Sequence, residues 1–163
     1  MKEKTVIVVM QPRDPLWQAL CERTCDLARY LEDIESAELV SRETTPKGLT
    51  RHVHFWRARA NVPAILAPHI DASFLAWTGK IEWQANDYKS RWIVEPQFMK
   101  EAVLCEAVMD FSPAVGGRGT RLDLQLEIMG LQRPLGFQTI MKTILTTHFR
   151  KLVGAATQLI EAG

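Results

Sequence analysis

An excess of charge of one sign is missing from this sequence: Lys+Arg number 20 against Asp+Glu 19, a formal net charge of +1 at pH 7. Without a basic surplus, attraction to phosphate backbones or anionic membrane surfaces has no general driving force. Long apolar runs are missing too. Val6 to Met10 is too short for a signal-peptide core or a membrane span. Cysteine is scarce, with three in 163 residues. An odd count without an export signal agrees with the reducing cytoplasm, so ordinary thiols are expected. There is no internal repeat, low-complexity tract or linker, and the length suits one domain spanning residues 1–163. A chain of this size buries roughly 70% of its unfolded surface, so it can form a core without metal or disulfide staples.

What is present is a succession of short β-patterned segments with a helix near each end. Thr5 to Gln11 is β-branched and apolar and stops at the Pro12 to Pro15 breaker. Asp14 as cap, with Pro15 at the first helical position, would start a helix over Arg13 to about Ile34, broken near Arg23. Ala37 to Thr44 alternates, and Thr45-Pro46-Lys47-Gly48 supplies a turn into a strand over Leu49 to Ala60. Phe74 to Gln84, Tyr88 to Glu95, Glu101 to Phe111 and Thr120 to Gly130 read as further strands bounded by turn residues. Asn61 to Asp71, interrupted by Pro63 and Pro68, reads as a loop and a candidate lid.

From Phe137 to Ile160 an apolar stripe that includes Met141, Leu145, His148, Phe149 and Leu152 recurs at helical spacing. About 25 helical residues at about 1.5 Å each span roughly 37 Å, enough to cross one face of a sheet. The order of elements is α+β, with an antiparallel meander in the middle rather than alternating strand and helix.

This succession resembles the START-like or SRPBCC superfamily, which includes plant-allergen-like proteins and polyketide cyclases. The resemblance rests on Val6 to Gln11 before a helical segment, Trp83 and Trp92 in adjacent middle strands, Gly116-Gly117-Arg118-Gly119 between the last two strands, and the Phe137 to Ile160 helix. It covers nearly the whole chain through element order rather than a diagnostic motif. It implies a helix-grip fold, a curved antiparallel sheet of about six to seven strands wrapped around a long C-terminal helix. It also implies an internal cavity for a hydrophobic small molecule such as a lipid, quinone or polyketide-like aromatic. No catalytic residue is carried over from it.

The residues themselves offer a set of pocket candidates. Trp56, Trp83, Trp92 and Met109 on strands, with Met141 and Leu145 on the helix, are candidate walls, although plain core is the default reading of each. His54, Arg57 and Arg59 come from the basic and aromatic strand Arg51 to Arg59. Arginine suits a ligand's carboxylate, phosphate or enolate head, because its planar fork donates paired hydrogen bonds. The bland alternative pairs these arginines with Glu106 and Asp110 on another strand. An alternative function, a cyclase- or hydrolase-type enzyme in the same cavity, would draw acid/base chemistry from His54, Glu106 or Asp110.

Several other chemistries find little support. His52 and His54 lie two apart on one strand face and lack a third metal ligand nearby in sequence. Cys21 and Cys25 are not spaced as Cys-x-x-Cys, and inert thiols are expected. The glycine-rich turn is followed by a strand, not by the helix N-terminus a phosphate loop needs. Arginines and aromatics divide between the two faces of Arg51 to Arg59, unlike a single-strand RNA reader. The expectation is a carrier needing no cofactor, metal, nucleic acid or integral membrane association, acting as a monomer or weak homodimer.

Overall fold

In the computed structural model, the structure describes residues 2–59, 75–97, 103–130 and 137–163. Seven strands form one antiparallel sheet: β1 (Lys2–Val9), β2 (Ile34–Thr44), β3 (Thr50–Ala58), β4 (Ala76–Gln84), β5 (Lys89–Pro96), β6 (Val103–Ala114) and β7 (Gly119–Gly130). Their order across the sheet is β1-β7-β6-β5-β4-β3-β2, so the meander β2 to β7 is closed by β1 pairing with β7. Two α-helices accompany the sheet among the described residues: α1 (Arg13–Glu22) and α2 (Phe137–Ala162).

Turn chemistry sets the hairpins. Thr45 and Gly48 close the β2–β3 turn through Gly48 N–H donating to the Thr45 carbonyl at 3.0 Å, with Gly48 at φ 82°. Between β4 and β5, Tyr88 takes a left-handed φ of 49°. Gly119 is required for a different reason. A Cβ there would stand 2.9 Å from the Val9 carbonyl oxygen, on the β1 edge that closes the sheet.

The first helix is shorter than its pattern suggests. It begins at Arg13 with Pro12 in the capping position, so Asp14 lies inside the first turn instead of capping it. Asp14 instead accepts a hydrogen bond from the Tyr88 hydroxyl, and the Arg13 guanidinium lies 3.7 Å from the Tyr88 ring centre. A 3-10 segment over Cys25–Tyr30 follows, and Ile34 already opens β2. Apolar spacing holds through Leu27 and Leu31 because a 3-10 segment and an α-helix bury nearly the same positions.

Strand alternation decides the core. Ile81, Trp83, Trp92, Met109, Phe111, Leu122 and Leu124 face inward and are each no more than 3% exposed. Trp17 of α1 meets Trp83 and Phe111 edge to face, with ring centroids 5.2 and 5.0 Å apart. From α2, Phe149 meets Trp92 at 5.2 Å. Both helices therefore pack on the inner face of the sheet, and α2 is further tied to β1 by Lys142 and Glu3 at 3.7 Å. The candidate lid, Asn61 to Asp71, lies outside the described residues.

Candidate functional site

Beyond the aromatic core the interior opens. A pocket of about 490 Å³ lies between the sheet and α2. The sheet contributes Ala58, Ala76, Trp77, Val94 and Pro96, all near the ends of β3, β4 and β5 on the side away from α1. From α2 come Met141, Ile144, Leu145 and His148. Leu31 and Ile34 form a third wall, and Asp33 and Lys151, joined as an ion pair, sit at the rim. Both members of that pair are half exposed, as is Ile144. Ala58, two residues beyond Trp56 on the same face of β3, puts a small side chain beside the gap.

The polar feature of the wall is His148. Its ring stands nearly perpendicular to Trp56 and Trp77, at 86° and 84°, with centroids 5.7 and 5.5 Å away. Trp56 and Trp77 are parallel, with centroids 6.1 Å apart, so buried Trp56 backs Trp77, which itself lines the pocket. The His148 side chain is partly buried and borders the pocket. Burial first, and then the Lys151 ammonium, push its pKa down to about 4, so the imidazole is neutral at pH 7. Thr143 and Thr147 also lie along this wall on exposed positions of the helix, and the Thr143 hydroxyl donates to the Thr139 carbonyl.

The ten candidates of the sequence separate into four groups. Met141 and Leu145 line the pocket. Trp56, Trp83, Trp92 and Met109 are packed in the core and do not line it, because all but Trp56 sit farther along their strands, in the part that α1 and Phe149 fill. Arg57 and Glu106 project from the outer face, opposite inward Trp56 and Cys105. Arg57 lies over the Phe55 ring, and Glu106 pairs with Arg91 at 2.6 Å. Asp110 pairs with Lys89 at 3.6 Å, so the acids meet their β5 neighbours rather than Arg57 or Arg59. Arg59 lines a separate, more polar groove with Arg29, Glu32 and Glu35, which shares Leu31 and Ile34 with the pocket.

His54 forms the fourth group. It is buried on the inner face beside His52, ring centroids 5.5 Å apart, and three of the four ring nitrogens of the pair lack a partner: both of His52 and Nδ1 of His54. Burial, with His52 as a second cause, lowers the His54 pKa to about 4. His54 thus faces inward while Glu106 and Asp110 face outward, and the three do not converge on one acid/base site. Among the described residues no three metal-ligating side chains gather. All three cysteines are free, and burial pushes each thiol up to about 11, away from thiolate chemistry.

His148 and Trp77 are among the pocket residues that the sequence did not single out. The available signal was a titratable side chain within the apolar stripe of the last helix.

Structural comparison places this architecture. A Thermus thermophilus protein, TTHA0849, superposes with a TM-score of 0.69 at 19% identity, covering 99% of this chain and 98% of the other. The Zhui aromatase/cyclase from a Streptomyces species gives a TM-score of 0.70 at 11% identity, over 99% of this chain and 93% of its own. Norcoclaurine synthase from Thalictrum flavum gives 0.66 at 12% identity, over 100% and 87%. The chain has the helix-grip fold of these structures. In this helix-grip chain the sheet has seven strands and the gripped helix is α2. No protein-family model and no curated protein sequence matches it. No helix among the described residues is long and apolar enough to cross a membrane.

Proposed function

We propose that this protein binds and carries a hydrophobic small molecule, of the size of a small lipid, quinone or polyketide-like aromatic, in the pocket between the sheet and α2. The observation that carries the reading is the pocket itself: about 490 Å³, within the range of small-molecule sites, with an apolar wall and a few polar groups. Met141, Leu145, Trp77 and Val94 supply the apolar contact, worth about 25 cal/mol for each Å² removed from water. The Asp33–Lys151 pair stands where a ligand would pass. A carrier needs one polar anchor, whereas acid/base catalysis needs two titratable groups in reach of the substrate. Among the described residues the pocket wall holds one, His148, apart from the ion pair at its rim. With three free thiols, the chain suits a reducing cytoplasm.

The test is native mass spectrometry after mild extraction, together with displacement of the fluorescent apolar probe N-phenyl-1-naphthylamine. A co-purifying small molecule that displaces the probe at one site per chain is expected. A protein that neither retains a ligand nor takes up the probe contradicts the reading.

A further inference from the structure

Most of the pocket wall is indifferent to the chemistry of its ligand. Met141, Leu145, Val94 and Ala76 offer dispersion and burial, which reward any apolar body of suitable size. His148 differs, because an imidazole in a mostly apolar environment is costly unless its polar atoms find partners. The His148 ring is partly exposed and borders the pocket, where a ligand's polar group can supply a partner. The ring also has little freedom to turn elsewhere, being held perpendicular to Trp56 and Trp77 and set against Phe149 at 5.8 Å.

We infer that the pocket selects a planar aromatic ligand bearing a phenolic or enolic hydroxyl, which donates a hydrogen bond to the unprotonated ring nitrogen of His148. This rests on the ligand-carrying reading above and specifies the occupant. A neutral imidazole has one nitrogen with a free lone pair and one N–H, so it accepts from a hydroxyl without requiring the ligand to be charged. A pre-ionised ligand is disfavoured in a wall this apolar, because among the described residues the cation lining it is Lys151, already paired with Asp33 at the rim. Trp77 offers an aromatic surface for the flat body of the ligand, in the offset or edge-to-face arrangements that rings prefer. The anchor and the aromatic wall are adjacent, so one ligand with a hydroxyl on its ring satisfies both.

The test compares 2-naphthol with 2-methoxynaphthalene, which keeps the ring system and the oxygen but lacks the donor. Wild-type protein binds 2-naphthol about five- to tenfold more tightly, the worth of one net hydrogen bond. In His148→Phe the ratio of the two affinities falls to about one. Nitrogen NMR of His148 in the wild-type chain provides a second readout that does not depend on the variant folding. The acceptor nitrogen shifts on addition of 2-naphthol and not on addition of the ether. Equal binding of both compounds by the wild type, or a preference that survives His148→Phe, overturns this inference and leaves the pocket standing. If neither compound binds, the carrier reading fails with it.

Discussion

Phe149 of α2 meets Trp92 of β5 edge to face, with ring centroids 5.2 Å apart and planes at 89°. This contact fixes the long helix on the sheet at the boundary between the filled core and the open pocket. Phe149→Ala leaves a cavity at a site 1% exposed and costs about 3–5 kcal/mol. Phe149→Leu costs less, because it retains most of the buried volume. Urea unfolding checks both, and a truncation that shifts the midpoint by less than about 1 kcal/mol contradicts this role for the contact.

Gly119→Ala tests how the sheet closes. The new methyl group meets the Val9 carbonyl oxygen at 2.9 Å, a backbone atom that cannot swing aside, so β1 must shift away from β7. Overpacking of this kind costs about 1–3 kcal/mol. Faster amide hydrogen exchange in β1 than in β4 and β5 is the expected local signature.

Acid should unfold this protein through its buried histidines. His52, His54 and His148 all have pKa values below the ordinary 6.5, with His54 and His148 near 4. The unfolded chain therefore takes up protons at a pH where the folded chain still refuses them. Stability is complete above about pH 6.5 and declines as pH falls toward about 4, each histidine contributing on the order of 1.4 kcal/mol per unit of depression. His54→Phe removes one such group and flattens the decline. Identical pH profiles for wild type and variant, measured by urea midpoint from pH 7 to pH 5, argue against a neutral buried His54.

The fold was legible where pattern and punctuation agree. Strands β4 to β7 alternate cleanly between turns at Asn86-Asp87 and Gly116-Gly117, and α2 carries an unbroken apolar stripe. Boundaries failed where two structures share a burial pattern: Leu27 and Leu31 are buried whether the backbone is α or 3-10. The site was legible only in part. Alternation places Trp56 and Trp83 inside, but it says nothing about position along the strand, and that position decides between core and pocket. Trp83 lies beside α1 and is packed, whereas Trp77, on the same face of β4, borders the void. The void is bordered by the small side chain of Ala58, which carries no chemical signal of its own. Arg57 and Glu106 were attractive as polar anchors by residue type, and strand alternation places both on the outer face.

The most direct test of the carrier account is a fluorescence titration of N-phenyl-1-naphthylamine into wild type, Ala58→Trp and Ile144→Glu. Ala58→Trp occupies the sheet side of the pocket, and Ile144→Glu charges its exposed rim without touching the core. Saturable binding at one site per wild-type chain, weakened at least tenfold in both variants while each keeps its cooperative thermal transition, is the predicted result. Undiminished binding in both variants would place the probe elsewhere and contradict the account.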